Sequence, residues 1–219
     1  MNTTEAALKR TVDLLGALFG LLLLALPFAL IALLVKLCSR GPVLFRQDRI
    51  GRGGNVFKIV KFRTMHLGAE AGGSVTVRED RRTTPIGRVL RKTKLDELPQ
   101  LWNILWGDMS FVGPRPDVPG YADRLEGEAR EILAVRPGIT GPASLFFRNE
   151  EELLARAEDA QKYNDEVLWP VKVRLNLEYV KKWSWTRDLA FLLVTVMPGL
   201  DRLFKVVPRD IELPDPCAS

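Results

Sequence analysis

Two acidic residues side by side, Asp96 and Glu97, stand in the run Leu95-Asp96-Glu97-Leu98-Pro99-Gln100-Leu101-Trp102. Proline is tolerated only in the first turn of a helix, so Pro99 predicts a helix opening near Asp96, with Leu95, Leu98, Leu101, Trp102 and Leu105 on one apolar face. Carboxylates at that place satisfy free N–H groups, and an isolated Asp-Glu pair is ordinarily a cap. The neighbours argue for more. A short basic helix from Ile86 to Lys92 precedes the pair and carries Arg88, Arg91 and Lys92. The loop Gly107-Asp108-Met109-Ser110-Phe111-Val112-Gly113-Pro114-Arg115-Pro116 follows it. There Arg115 is held between two prolines, so its fork is aimed before any ligand arrives. Carboxylates, converging arginines and a divalent ion are the parts that phosphoryl transfer uses, because positioning and charge neutralisation carry its rate.

The elements that must hold these groups begin with a hairpin. Val43-Leu44-Phe45-Arg46 and the run from Val56 to Phe62 are β-prone and flank the cluster Gly51-Arg52-Gly53-Gly54-Asn55. Phe57, Ile59, Lys61 and Arg63 share one face of the second strand by the period-two rule. No Gly-Lys-Ser/Thr ending follows the glycines, so this is not a phosphate-cradling loop of that type. From Lys36 to Arg63 eight basic residues face one acid, a local net of +7 within a chain of +5, so the remainder sums to −2. Attraction to anionic headgroups is the plain reading of that cluster, and Lys61 and Arg63 as phosphate ligands the sharper one. A nucleic-acid patch fits less well, since no aromatic interleaving or binding motif accompanies the charge.

Ahead of the hairpin, Leu14 to Val35 holds 22 residues without a charge. A helix of that length reaches roughly 33 Å, enough for a hydrocarbon core of about 30 Å. The run is too long for a signal peptide and too apolar all round for a soluble core helix, which points to membrane association. Pro27 kinks or breaks it, and both flanks are basic, with Lys9 and Arg10 before and Lys36 and Arg40 after. The positive-inside tendency keeps both flanks on one side, which suits a segment that enters, turns at Pro27 and leaves by the same face. A kinked single span remains the alternative. Other chemistry is constrained by counts. Cys38 and Cys217 have no CxxC spacing, so two free thiols are expected, and the sole histidine, His66, rules out zinc sites built on several histidines.

The run from Lys94 to Pro116, with Lys61-Phe62-Arg63-Thr64-Met65 before it and Arg136-Pro137-Gly138-Ile139-Thr140-Gly141 after it, closely resembles the bacterial sugar transferase family. These are monotopic phosphoglycosyl transferases acting on polyprenyl phosphate, and the likeness runs from Lys9-Arg10-Thr11-Val12-Asp13 through Tyr179. It implies an α+β, helix-rich fold with a re-entrant helix broken at Pro27, a short β-hairpin and interfacial amphipathic helices. With it go residues 1–40 as the membrane segment and 41–207 as a catalytic domain, while residues 208–219, with Pro214 and Pro216, read as a mobile tail. It further implies that Asp96 is the nucleophile, attacking the β-phosphorus of a nucleotide diphosphate sugar, usually UDP-linked. UMP leaves, a phosphosugar stays on the carboxylate, and a polyprenyl phosphate then takes it up. Asp96 and Glu97 would hold Mg²⁺, with Glu97 assisting in metal or proton handling, while Lys61, Arg91 and Arg115 match phosphate-contacting positions. The implied setting is the bacterial inner membrane, with the site on its cytoplasmic face and no nucleic-acid partner; a homo-oligomer stays open.

Two departures stand out. Leu26 occupies a place where the family often has serine before the proline, and Pro142-Ala143-Ser144-Leu145-Phe146-Phe147-Arg148-Asn149 replaces the usual Trp-Ala-Gln continuation. The second concerns sugar or nucleotide selection, or only packing, with Arg148 a candidate for substrate contact. The stretches from Arg124 to Val135 and from Glu150 to Gln161 read as solvated acidic helices. Leu189 to Met197 is too short to span, and suits either an interfacial or a core helix. A non-catalytic lipid-anchored scaffold is the rival to a transferase, and a phosphohydrolase with the same aspartyl intermediate is the third reading.

Overall fold

A computed structural model describes residues 2–69, 80–208, 210–214 and 216. The apolar N-terminal stretch forms two helices, α1 (Thr3–Leu23) and α2 (Ala25–Cys38), bent by 63° at the break between them. The break falls at Leu24, three residues ahead of the expected position. Pro27 has no N–H to offer the Leu23 carbonyl, and its ring crowds that group, so the helix must restart before the proline rather than at it. Pro27 then sits harmlessly in the first turn of α2. Among the described residues no single helix is long and apolar enough to cross a membrane, while the bent pair together passes that test of length and composition.

The expected hairpin is present as β1 (Leu44–Ile50) antiparallel to β2 (Val56–Phe62). Its turn needs φ of 73° at Gly53 and 85° at Gly54, a region open to glycine and costly to other residues, which explains the glycine cluster. Phe45 pairs with Lys61, Gln47 with Ile59 and Arg49 with Phe57. Directly opposed residues share a face, so Arg49 and Lys61 lie on the same side of the hairpin.

Helix α3 (Pro85–Thr93) starts on the Thr84 hydroxyl, which accepts from Gly87 N at 3.0 Å, and ends at Lys94 with φ of 58°. That left-handed lysine turns the chain into a 3-10 turn, Leu95–Glu97, ahead of α4 (Gln100–Trp106). The sequence places the acidic pair inside the opening of one α-helix, and the structure places it in the separate turn before it. The reason is Pro99, which caps α4 and leaves only three-residue hydrogen bonds upstream, Glu97 N to Lys94 O and Leu98 N to Leu95 O. The predicted apolar face also divides. Leu101 and Ile104 are buried, whereas Leu95, Trp102 and Trp106 face outward and the two indoles stack at 6.3 Å.

Beyond α4, β3 (Ser110–Val112) runs parallel to β4 (Gly138–Thr140). There follow α5 (Pro142–Phe146), α6 (Glu150–Arg156), α7 (Ala160–Tyr163), a π-turn at Asn164–Leu168, α8 (Trp169–Lys181), α9 (Trp185–Val196) and α10 (Asp201–Phe204). The stretch expected as a solvated helix near residues 124–135 is instead a pair of 3-10 segments. Ile132 and Leu133 there are buried with Ile50 and Ala122, an apolar demand that the acidic composition masks. Helix α9 buries one face, with Phe191 and Val194 packed beside Val112 and Tyr179, and leaves Leu189 and Val196 exposed on the other. Of the described tail residues, Ile211 and Leu213 pack near Tyr163, whose hydroxyl donates to Pro214 O at 2.8 Å. Cys38 is an exposed free thiol, and Cys217 lies outside the described residues.

Both arms of the bent pair are built into the framework around the acidic pair. Ala17 of α1 shares a core cluster with Ile59, Leu101, Ile104 and Met109. Ile31 and Val35 of α2 share another with Phe62 and Leu90. Strand β2 therefore sits with one hydrophobic anchor on each arm and Lys61 between them. Polar bonds fix the register of α1. Asp13 is buried and accepts from Ser110 Oγ and Phe111 N, both at 3.1 Å. Arg10 donates to the carbonyls of Ile104 and Leu105, and Lys9 pairs with Asp188, which also accepts from Tyr179 Oη and Trp183 Nε1. On the outer side Leu15, Phe19, Leu22, Leu26 and Leu37 are exposed.

Candidate active site

Asp96 and Glu97 are both 8% exposed while Leu95 beside them faces outward. This inversion of the usual pattern is costly for charged groups unless partners compensate. Glu97 has them. Its Oε1 accepts from Lys61 Nζ at 2.8 Å and from Arg115 Nη2 at 2.6 Å, and Arg115 Nη1 reaches Oε2 at 3.4 Å. Burial would raise its pKa, but Arg115 and Lys61 outweigh burial and hold the carboxyl well below the usual range. Asp96 has no such clamp. Its Oδ1 is buried with no hydrogen-bond partner among the described residues. Burial pushes its pKa up, Lys61 opposes that, and the neighbouring Glu97 adds to it. Two adjacent carboxyls thus have opposite characters, one clamped by two cations with its pKa lowered, the other with its pKa raised and one buried oxygen unpartnered.

Each partner is delivered by a different element. Lys61 comes from β2, and burial lowers its pKa against the pull of Glu97. Arg115 comes from the loop after β3, with its pKa raised by Glu97 and its side chain still 40% exposed. The loop is pinned where β3 meets β4, by Gly113 N donating to Thr140 O at 2.9 Å and Gly138 N to Pro114 O at 2.8 Å. Strand β2 is pinned by the buried Asn103 of α4, which accepts from Val60 N at 2.9 Å and donates to Lys58 O at 2.8 Å.

The remaining sequence candidates are placed differently. Arg91 acts on Asp96 through space, but its fork is engaged by Glu151 of α6 at 2.5 Å. Arg63 is buried and donates from Nη2 to Ser39 O at 2.9 Å and Ser39 Oγ at 2.7 Å, so it ties the end of α2 to β2 instead of joining the acidic pair. The period-two rule put it beside Lys61, but it lies one residue past the strand, where that rule lapses. Arg148 donates to Val194 O of α9 at 3.1 Å, a packing contact. Sequence reasoning passed over Asn103, Arg49 and Asp117. Arg49 lies beyond the β-prone run Val43 to Arg46, and only the longer observed strand, Leu44–Ile50, puts it at period two with Phe45 and Gln47. Asp117 is raised to about 6 by burial, with Lys172 and Arg49 opposing, and only the fold shows its setting.

Among the described residues no group of three or more His, Cys, Asp or Glu side chains has the arrangement of a metal cage. Glu97 gives its lone pairs to two cations, whereas Asp96 retains an unclaimed oxygen. That donor set does not fit a self-sufficient metal site with Glu97 as a second ligand. It fits a Mg²⁺ ion held by one carboxylate and completed by substrate phosphates, a common arrangement for this ion.

The family model for bacterial sugar transferases matches residues 4–202. The chain belongs to this family. A relative from Caulobacter vibrioides, named UDP-glucose:undecaprenyl-phosphate glucose-1-phosphate transferase, is 40% identical over 193 residues, covering 86% of this chain and 68% of its own. A relative of the same name from Escherichia coli is 40% identical over 206 residues, covering 91% of this chain and 41% of its own. The exopolysaccharide production protein PSS of Rhizobium leguminosarum is 38% identical over 208 residues, covering 90% of this chain and 98% of its own. This family member thus spans about two-fifths of the Escherichia coli relative and nearly all of the Rhizobium one. Within the matched region fall Asp96, Glu97, Lys61 and Arg115 together, along with both arms of the bent helix pair.

Proposed function

We propose that the chain transfers a sugar-1-phosphate from a UDP-sugar to a polyprenyl phosphate such as undecaprenyl phosphate, the first membrane step in building a glycan. The single observation that carries this reading is the buried, unpartnered Oδ1 of Asp96 beside a carboxylate already neutralised by Lys61 and Arg115. A carboxylate oxygen of Asp96 attacks the β-phosphorus of the donor, and the bond from that phosphorus to the bridging oxygen breaks. UMP departs with the electron pair and a phosphosugar remains esterified to Asp96. An oxygen of the lipid phosphate then attacks the same phosphorus, and Asp96 leaves as a carboxylate. Arg115 and Lys61 supply positive charge where phosphoryl oxygens gather it, and Glu97 holds both in place. Burial, by raising the pKa of Asp96, makes its carboxylate a better nucleophile once ionised.

Mg²⁺ would be held by Asp96 with the donor's diphosphate, where it offsets repulsion between carboxylate and phosphates. A re-entrant placement of α1 and α2 in the cytoplasmic face of the bacterial inner membrane supports this chemistry. Both arms pack on β2, basic residues flank both ends, and the outer faces are apolar. The lipid phosphate then need not leave the interface to reach the site. UMP release from a panel of UDP-sugars with undecaprenyl phosphate in detergent tests the activity. Mass spectrometry of enzyme quenched during turnover should find the phosphosugar on the peptide containing Asp96. An adduct on another residue, or inorganic phosphate as the product, would overturn the reading.

A further inference from the structure

The loop that carries Arg115 is fixed upstream by β3 and β4, and its downstream end is held by a different element. Arg49, near the end of β1, donates from Nη1 to Pro116 O at 3.1 Å and from Nη2 to Gln47 Oε1 at 2.8 Å. One residue further on, Ile50 N donates to Asp117 O at 2.9 Å. The strand edge of the hairpin thus binds two successive carbonyls immediately after Arg115. Arg49 shares its hairpin face with Lys61, so one face serves both cations of the site, Lys61 by direct contact with Glu97 and Arg115 through its loop. Arg49 and Arg115 are close enough to repel. Burial lowers the Arg49 pKa to about 10, with Arg115 the largest charge acting against it, and it stays protonated at neutral pH. Arg115 donates to Glu97, whose charge also reaches Arg49 through space, while Arg49 spends its own donors on Pro116 O and Gln47.

We propose that Arg49 is a positioning residue for the transfer reaction: by holding Pro116 O and opposing Arg115 with its own charge, it keeps the Arg115 fork turned toward Glu97 and the phosphate it would receive. This deepens the functional reading above and rests on it for the phosphate. Prolines at 114 and 116 remove two donors from the loop, so the carbonyl of Pro116 is among the few backbone handles there. Arg49 uses it.

The test compares Arg49→Met and Arg49→Lys in the full chain in detergent, with thermal unfolding measured for both. Amide exchange at Arg115, Asp117 and Val118 should quicken about tenfold in Arg49→Met, the change expected when one hydrogen bond to a charged donor is lost. The kcat/KM for UMP release should fall by a similar factor, and Arg49→Lys, which keeps charge and one donor, should recover most of both. In an Arg115→Lys background Arg49→Met should cost little more, because the two act as a unit. Exchange in the loop at the wild-type rate in Arg49→Met overturns the proposal, as does a lysine variant no better than methionine or a loss that simply adds to that of Arg115→Lys. Wild-type protein that releases no UMP from any UDP-sugar overturns the functional reading instead, while the exchange measurement still decides the role of Arg49 in the loop.

Discussion

Replacing the two adjacent acids separately should move stability in different directions while stopping the same reaction. Glu97 lies between Lys61 and Arg115, with side-chain exposures of 10%, 16% and 40% respectively. Removing one partner of a buried ion pair typically costs about 3–5 kcal/mol, and exposed pairs are worth about 1 kcal/mol or less. Glu97→Gln keeps an acceptor oxygen, and Arg115 is partly solvated, so the expected loss is about 2–3 kcal/mol. For a chain of this size that lowers Tm by roughly 4–12 °C. Asp96→Asn removes a charge that burial opposes and that nothing hydrogen-bonds at Oδ1, so its Tm should equal or exceed that of the wild type. The pH dependence follows. Glu97 is depressed in the folded state, so its contribution is present at neutral pH and fades as pH falls below the ordinary carboxylate range. Asp96 is raised, so its ionised form costs stability at high pH, and the cost fades as pH falls through its folded pKa. Fluorescence-monitored unfolding in detergent, run beside UMP release, reads both. An Asp96→Asn protein as destabilised as Glu97→Gln would refute the division between a structural and a free carboxylate.

Other perturbations should follow the same geometry. UMP release should rise with pH through the raised pKa of Asp96, since only the carboxylate attacks; a rate that stays level or falls as Asp96 ionises would contradict this. Glu151→Gln frees Arg91 from a half-exposed pair, so stability should change by less than about 1 kcal/mol while KM for the donor falls, as initial rates would show. Asn103→Ala strands Val60 N and Lys58 O and should cost about 3 kcal/mol in chemical unfolding, with Lys61 displaced. Gly113→Ala puts a methyl group 2.4 Å from Arg136 O, which must part β3 from β4 and lower kcat/KM about tenfold or more through Arg115.

Much of the site was written in residue types. An acidic pair, a proline-locked arginine and a lysine at a strand position are chemical signals, and the fold brings Asp96, Glu97, Lys61 and Arg115 together. The glycine cluster announced its turn because positive φ admits few other residues. What sequence concealed was long-range pairing. Arg63 and Lys61 share a short motif, yet the end of the strand sends one to Ser39 and the other to Glu97. Arg91 and Arg148 find partners 60 and 46 residues away, and no local pattern encodes Glu151 or the Val194 carbonyl. The position of the helix start was misjudged by four residues for a local reason, since Pro99 caps α4 where an earlier start was expected. Asn103 reads as an ordinary polar residue until β2 is laid against it.

The bond from Phe111 N to Asp13 makes the apolar stem and the chemistry a single mechanical part. Severing the chain ahead of Ala25 would pull Ala17 out from beneath Ile59 and Ile104, and orphan the carbonyls of Ile104 and Leu105 together with the amide of Phe111. Those losses fall on α4 and β3, the two supports that flank the acidic pair and lead into Arg115. Trimming the apolar N-terminal arm should therefore dismantle the centre along with it.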